Sequence, residues 1–98
     1  MSEPQRVRKT LGTLRSELHS TRMMLWEKYG VVSGVPMIAL HTKSGRRYRI
    51  DMRVTIDEES GEPLVHYFSA DDKEHDAVTF SRKISKFLER FEPVEPAQ

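Results

Sequence analysis

Arg47-Tyr48-Arg49-Ile50-Asp51-Met52-Arg53-Val54-Thr55-Ile56 is the stretch that decides the fold. Tyr48, Ile50, Met52, Val54 and Ile56 take every second place, and Arg47, Arg49, Asp51, Arg53 and Thr55 fill the gaps. Successive side chains of a strand point to opposite faces, so the pattern predicts a long strand with one buried face and one cationic, wet face. A helix would scatter the same residues around its circumference.

On the N-terminal side, Val35–Thr42 reads as a partner strand and Lys43-Ser44-Gly45-Arg46 as the turn. A two-residue Ser44-Gly45 loop would set His41 opposite Tyr48, Ala39 opposite Ile50 and Met37 opposite Met52, forming the core face. Ile38 and Leu40 would then share the outer face with Arg47, Arg49 and Asp51. A one-residue change in the loop would exchange the two faces. On the C-terminal side, Asp57–Glu62 is an acidic turn and Pro63–Ser69 a third strand. Leu64, His66 and Phe68 share one of its faces, and Val65 and Tyr67 share the other.

Helical patterns flank the strands. Between about Gln5 and Tyr29, the residues Val7, Leu11, Leu14, Leu18, Leu25 and Tyr29 recur at spacings of three, four or seven, and Gly30 offers a left-handed C-cap. Met23-Met24-Leu25-Trp26 would cover all sides of that helix and wedge its end into the core. Such a helix would reach roughly 37 Å and overhang its own sheet. Leu11, Leu14 and Leu18 are therefore expected to meet a second protomer. Polar residues of Ser69–Asp76 supply caps for a second helix reaching about Phe91, with Ala77, Phe80, Ile84, Phe87, Leu88 and Phe91 as its apolar stripe. The expected fold is α+β in the order α-β-β-β-α, a three-stranded antiparallel meander with both helices packed on one face. One domain would span residues 5–91, with disordered termini at 1–4 and 92–98.

Composition narrows the chemistry. Ninety-eight residues suffice for one two-layer domain. With no cysteine, thiol catalysis, thiolate metal sites and disulfides are excluded, and a cytoplasmic location is the simplest expectation. No apolar run is long enough to span a bilayer, and no secretory signal opens the chain. The net charge of +1 conceals a split: residues 1–53 hold eleven Lys/Arg against four Asp/Glu, while residues 54–98 hold five against eleven. That asymmetry suggests an anionic partner for the basic half. The competing reading is that the halves neutralise each other, or a second copy.

Catalytic and metal constellations are weak. His41 and His66 lie on strands one and three, about two strand spacings apart, and the register keeps His41 away from Asp51. His19 and His75 have no carboxylate or second histidine at ligand spacing. No phosphate loop, nucleophile elbow or His-Glu-x-x-His motif occurs. The acidic run lacks calcium-loop spacing, and Asp71-Asp72 reads as a helix cap. The expectation is no enzyme, no metal and no cofactor.

The basic residues Lys43, Arg46, Arg47, Arg49 and Arg53 are the stronger signal. Arginines two apart on one strand face stand about 6–7 Å from one another, close to the phosphate spacing of a nucleic-acid strand. Guanidinium suits bidentate phosphate contact, and an outward Tyr67 could stack on a base. Nucleic acid or another polyanion is the expected partner of a small, non-catalytic, self-associating module. The alternative is a protein adaptor, inhibitor or chaperone, docking a protein through Ile38, Leu40, Val65 and Tyr67 beside Arg49. A catalytic reading would return if His41, His66 and a carboxylate converged in one pocket.

Overall fold

The alternating stretch forms the middle strand of the sheet. The computed structural model describes residues 9–30, 37–72 and 78–94. In it, β2 (Arg47–Ile56) lies between β1 (Ile38–His41) and β3 (Pro63–Ser69). β4 (Thr79–Lys83) adds to the free edge of β3, and β5 (Phe91–Pro93) to that of β1. The order is β4-β3-β2-β1-β5, antiparallel throughout. α1 (Leu11–Tyr29) precedes the sheet, and α2 (Ile84–Arg90) joins β4 to β5. Among the described residues no helix is long and apolar enough to cross a membrane.

The fold is thus α+β, but with five strands among the described residues where three were expected. Helical spacing of Phe80, Ile84, Phe87, Leu88 and Phe91 describes a helix only from Ile84 onward. Thr79–Lys83 also alternates, and its Phe80 and Arg82 pair with Tyr67 and Val65. Without that pairing β3 would present an open row of N–H and C=O groups. Satisfying it outweighs the modest helix preference of Thr79, Phe80 and Ser81. The chain end follows the same logic: Phe91, Glu92 and Pro93 pair with His41, Leu40 and Ala39. Glu92 and Pro93, expected in a disordered tail, therefore belong to the sheet, and Pro93 sits on an edge strand where its missing donor is tolerated. Residues 1–8, Val31–Gly34 with the start of the first strand, Ala77 and His75, and 95–98 lie outside the described residues.

α1 begins at Leu11, where the Thr10 hydroxyl accepts from the Thr13 amide at 3.1 Å. Its seam runs Leu18, Thr21, Leu25, Tyr29, at spacings of three and four. Leu25, Tyr29 and Phe87 of α2 join Ala39, Ile50, Val54, Val65 and Phe91 in one buried cluster. Phe87 stacks on Phe91 with centroids 4.1 Å apart, and Tyr29 meets Phe87 edge-on. Met23 and Trp26 fall off this narrow seam. They are 47% and 42% exposed, so the expected wedge of Met23–Trp26 does not form. Gly30 follows the helix at φ −58°, not in the left-handed region. Glycine is needed there for another reason, since a Cβ would stand 2.2 Å from the Trp26 carbonyl oxygen.

The β1–β2 pairing is displaced from the expected register. Ala39 faces Tyr48, not Ile50, because the loop holds four residues: His41 donates its amide to Arg46 O, and Gly45 donates to His41 O. Gly45, at φ 75°, makes the reversal. The displacement is two residues, an even number, so the expected faces persist where these two strands pair, with Met52 of the expected core the exception. β2 carries a bulge against β3. Pairing holds from Tyr48 to Ile50 and resumes at Val54, with Asp51, Met52 and Arg53 between. Two extra residues preserve parity, which lets Ile50 and Val54 both reach the core while Met52 is left 48% exposed.

Candidate anion-binding surface

The two hairpins of β2 are built by one local device and carry opposite charge. His41-Thr42-Lys43-Ser44-Gly45-Arg46 closes one end, and Asp57-Glu58-Glu59-Ser60-Gly61-Glu62 closes the other. In each, the first residue's side chain accepts from the amide of the serine three places on, at 3.2 Å. In each, the serine hydroxyl accepts from the amide two residues later, Arg46 at 3.2 Å and Glu62 at 3.1 Å. In each, the glycine has positive φ. Ten strand residues separate the loops by roughly 30 Å. The two hairpins thus give the sheet a basic loop at one end and an acidic loop at the other, with Asp71 of the acidic half lying at the basic end.

The acidic end is engaged in structure. Glu62 Oε1 accepts from the Ser85 amide at 2.8 Å, capping α2 where Lys83 makes no side-chain cap. Hydrogen bonding with Ser85 holds the Glu62 carboxyl below its ordinary value. Asp57 Oδ2 accepts from the Ser60 hydroxyl at 2.6 Å and lies 3.8 Å from Lys83 Nζ. The Ser60 hydroxyl is the main cause of a lowered Asp57 carboxyl. Lys9 ties the start of α1 to this end, bonding Glu17 and the Gly61 carbonyl.

The basic end is open. A cleft of about 690 Å³ is lined by Arg46, Arg47 and Arg49 with Ile38, Ser69 and Asp71. All three arginines are exposed. Arg47 stands opposite Leu40, and Arg49 lies between Ile38 and Phe68. The guanidinium stems can cover these apolar neighbours while their heads stay in water. Lys43, in the turn, and Arg53, beyond the bulge, do not line the cleft. Asp51 ends the arginine row by turning back on its own strand, accepting from the Arg53 amide at 2.8 Å. Its other oxygen is 3.9 Å from the largely exposed Arg53 head.

The expected protein-docking set is divided. Ile38 and Leu40 are half-buried on the outer face, whereas Val65 and Tyr67 are 0% and 5% exposed on the core face. Leu25 and Tyr29 of α1 and Phe87 of α2 cover that face, and β4 pairs the outer edge of β3. The proposed oligomer contact is divided as well: Leu11 is 69% exposed and Leu14 half-buried, but Leu18 packs on the chain's own core.

Tyr67 is not outward, yet it borders open space. At the basic end of the core face, His41, Tyr48, Tyr67, Phe80 and Phe91 surround a pocket of about 330 Å³ with Arg46 and Arg82. Tyr48 meets His41, Tyr67, Phe80 and Phe91 edge-on, with centroids 5.3–6.3 Å away. Arg82 donates through Nε to the Tyr67 hydroxyl at 2.7 Å, and its guanidinium carbon lies 5.4 Å from the Phe91 ring centre. Burial, followed by Arg82, Arg90 and Lys43, lowers the His41 pKa, so the imidazole is neutral in a positive field. Arg46 lines both the arginine cleft and this pocket.

His66 faces the opposite side of the sheet from His41 and pairs with Thr55 Oγ1 at 2.7 Å. The two histidines do not converge. Among the described residues no group of three His, Asp or Glu is placed to hold a metal ion. Sequence reasoning missed Arg82 and Phe80, because it assigned both to a helix. It missed the paired loops too, although Ser-Gly three residues after a side-chain acceptor occurs twice and was there to be read. The chain matches no family model, no curated protein and no solved structure.

Proposed function

We propose that this chain is a small, non-catalytic, cytoplasmic binding module whose basic hairpin end engages an anionic partner, nucleic acid above all. The observation that carries this reading is the gathering of Arg46, Arg47 and Arg49 around one open cleft, while Glu62 and Asp57 of the opposite hairpin cap a helix and brace a loop. Arginine presents paired donors that match phosphate oxygens, and two arginines on alternate positions of one strand match consecutive phosphates. Lys43 and Arg53 extend the positive field on either side without lining the cleft. Fluorescence anisotropy of labelled oligonucleotides, with Arg47→Glu/Arg49→Glu as the comparison, tests the reading. Binding that collapses in the double variant supports it, and equal binding by both proteins refutes it.

A second reading is favoured by the exposure of Met23 and Trp26 on α1. Methionine and tryptophan are enriched where proteins dock, so that flank of the helix would serve a protein partner or a second copy. Self-association through α1 would then use the flank of Met23 and Trp26, since Leu18 is occupied by the core and Leu14 lies on the opposite side of the helix from Met23.

A further inference from the structure

We infer that the aromatic pocket at the basic end receives an unpaired base of a single-stranded nucleic acid, with its phosphates running onto the arginine cleft. This rests on the reading of the cleft as a phosphate surface and adds which form of nucleic acid is taken. Three observations lead to it. The pocket walls are rings, Tyr48, Tyr67, Phe80 and Phe91, and its 330 Å³ is near the lower end of the roughly 300–1,000 Å³ of small-ligand sites, enough for one base. Its charged lining, Arg46 and Arg82, is cationic: Arg82 is fixed by its Nε bond to Tyr67, which leaves the outer guanidinium nitrogens for an anion. A site for a cationic guest would place carboxylates there instead, and none lines the pocket.

Arg46 supplies the continuity. It lines the pocket on the core face and the cleft on the outer face, where the β1–β2 loop turns around the end of the sheet. A ligand bridging both must carry an aromatic group beside several negative charges in series. A nucleic-acid single strand has that chemistry, and its bases are free to splay onto aromatic side chains. A duplex keeps its bases stacked inside and could use only the cleft.

Phe80 is the residue to change, because it is 45% exposed and its loss leaves the buried cluster intact. The ligands are a short single-stranded oligonucleotide, the matching duplex, inorganic polyphosphate and a phosphotyrosine peptide, each titrated against the wild-type protein, Phe80→Ala and Phe80→Trp. The inference predicts preference for the single strand, a loss of roughly 5- to 150-fold in Phe80→Ala, and retention in Phe80→Trp. Polyphosphate binding should be unchanged by either variant. Equal single-strand affinity in wild type and Phe80→Ala, with polyphosphate still bound, overturns the base pocket and leaves the phosphate surface standing. Preference for the duplex has the same consequence. Binding of a phosphotyrosine peptide through Phe80, with oligonucleotides held no better than polyphosphate, overturns it in favour of a protein ligand. No binding to any of the three polyanions removes both readings together.

Discussion

The Arg82 side chain reaches across from β4 and donates to the Tyr67 hydroxyl on β3 at 2.7 Å. The bond fixes a guanidinium over the Phe91 ring at the edge of the aromatic pocket. Tyr67→Phe removes the acceptor without removing the ring, so the pocket keeps its wall while Arg82 loses its position. Oligonucleotide affinity should fall several-fold, and Arg82→Gln should also reduce the salt dependence by about one phosphate contact. Isothermal titration at two salt concentrations separates the two effects.

His41 sits in the same pocket with Arg82 of β4, Arg90 of α2 and Lys43 of the turn around it, and Ser44, Tyr48 and Phe91 as its uncharged neighbours. Burial and those cations hold the imidazole pKa below the ordinary 6.5. A bound phosphate would stabilise the imidazolium and raise the pKa, so binding takes up a proton. Affinity should therefore increase as pH falls through and below 6.5, and His41→Gln should flatten that dependence. NMR titration of the imidazole with and without oligonucleotide reads the shift directly.

Tyr29 ties the two ends of the described chain together. Its hydroxyl donates to the Phe91 carbonyl at 2.9 Å, inside the core and between α1 and β5. Tyr29→Phe leaves that carbonyl without its side-chain donor and should lower stability by about 1–3 kcal/mol in urea denaturation. Burial, and then Glu92, push the Tyr29 pKa up to about 12. Its neutral form is what the fold retains, so this contribution is complete below the ordinary 10 and is lost as pH rises through 12. Ultraviolet titration should show one late tyrosinate that is absent in Tyr29→Phe.

Glu62 performs as the remote cap of α2. Glu62→Ala should lower stability by about 0.5–2 kcal/mol at neutral pH, the usual range for loss of an N-terminal cap. Its carboxyl, like that of Asp57, is held below the ordinary value, so its stabilisation is complete above 4.5 and disappears as pH falls through the lowered value. Denaturant midpoints of wild type and Glu62→Gln should accordingly differ at pH 7 and converge in acid.

Alternation in Arg47–Ile56 was enough to read the central strand, its buried face and the cationic character of the other. The two faces were legible where β1 and β2 pair even with the loop length misjudged, because His41 and Arg46 enclose four residues and the error was even. Thr79–Lys83 was not legible. Phe80, Ile84 and Phe87 fit a helical stripe, and only the open edge of β3, a property of the assembled sheet, makes the first five residues a strand. That misreading hid Phe80 and Arg82 and left Tyr67 facing solvent. Asp51 was read as a break in the arginine row, but that it bends the strand into a bulge depends on the register with β3.

The most direct test of the whole account is the salt dependence of single-stranded oligonucleotide binding, followed by anisotropy between about 50 and 200 mM monovalent salt. With Arg46, Arg47, Arg49 and Arg82 each meeting one phosphate, the logarithm of the association constant should fall with the logarithm of salt at a slope of about −3. Arg47→Glu/Arg49→Glu, which leaves Arg46 and Arg82, should at least halve that slope. A wild-type slope already near zero, or no binding at the lowest salt, would contradict a phosphate-binding role for this hairpin.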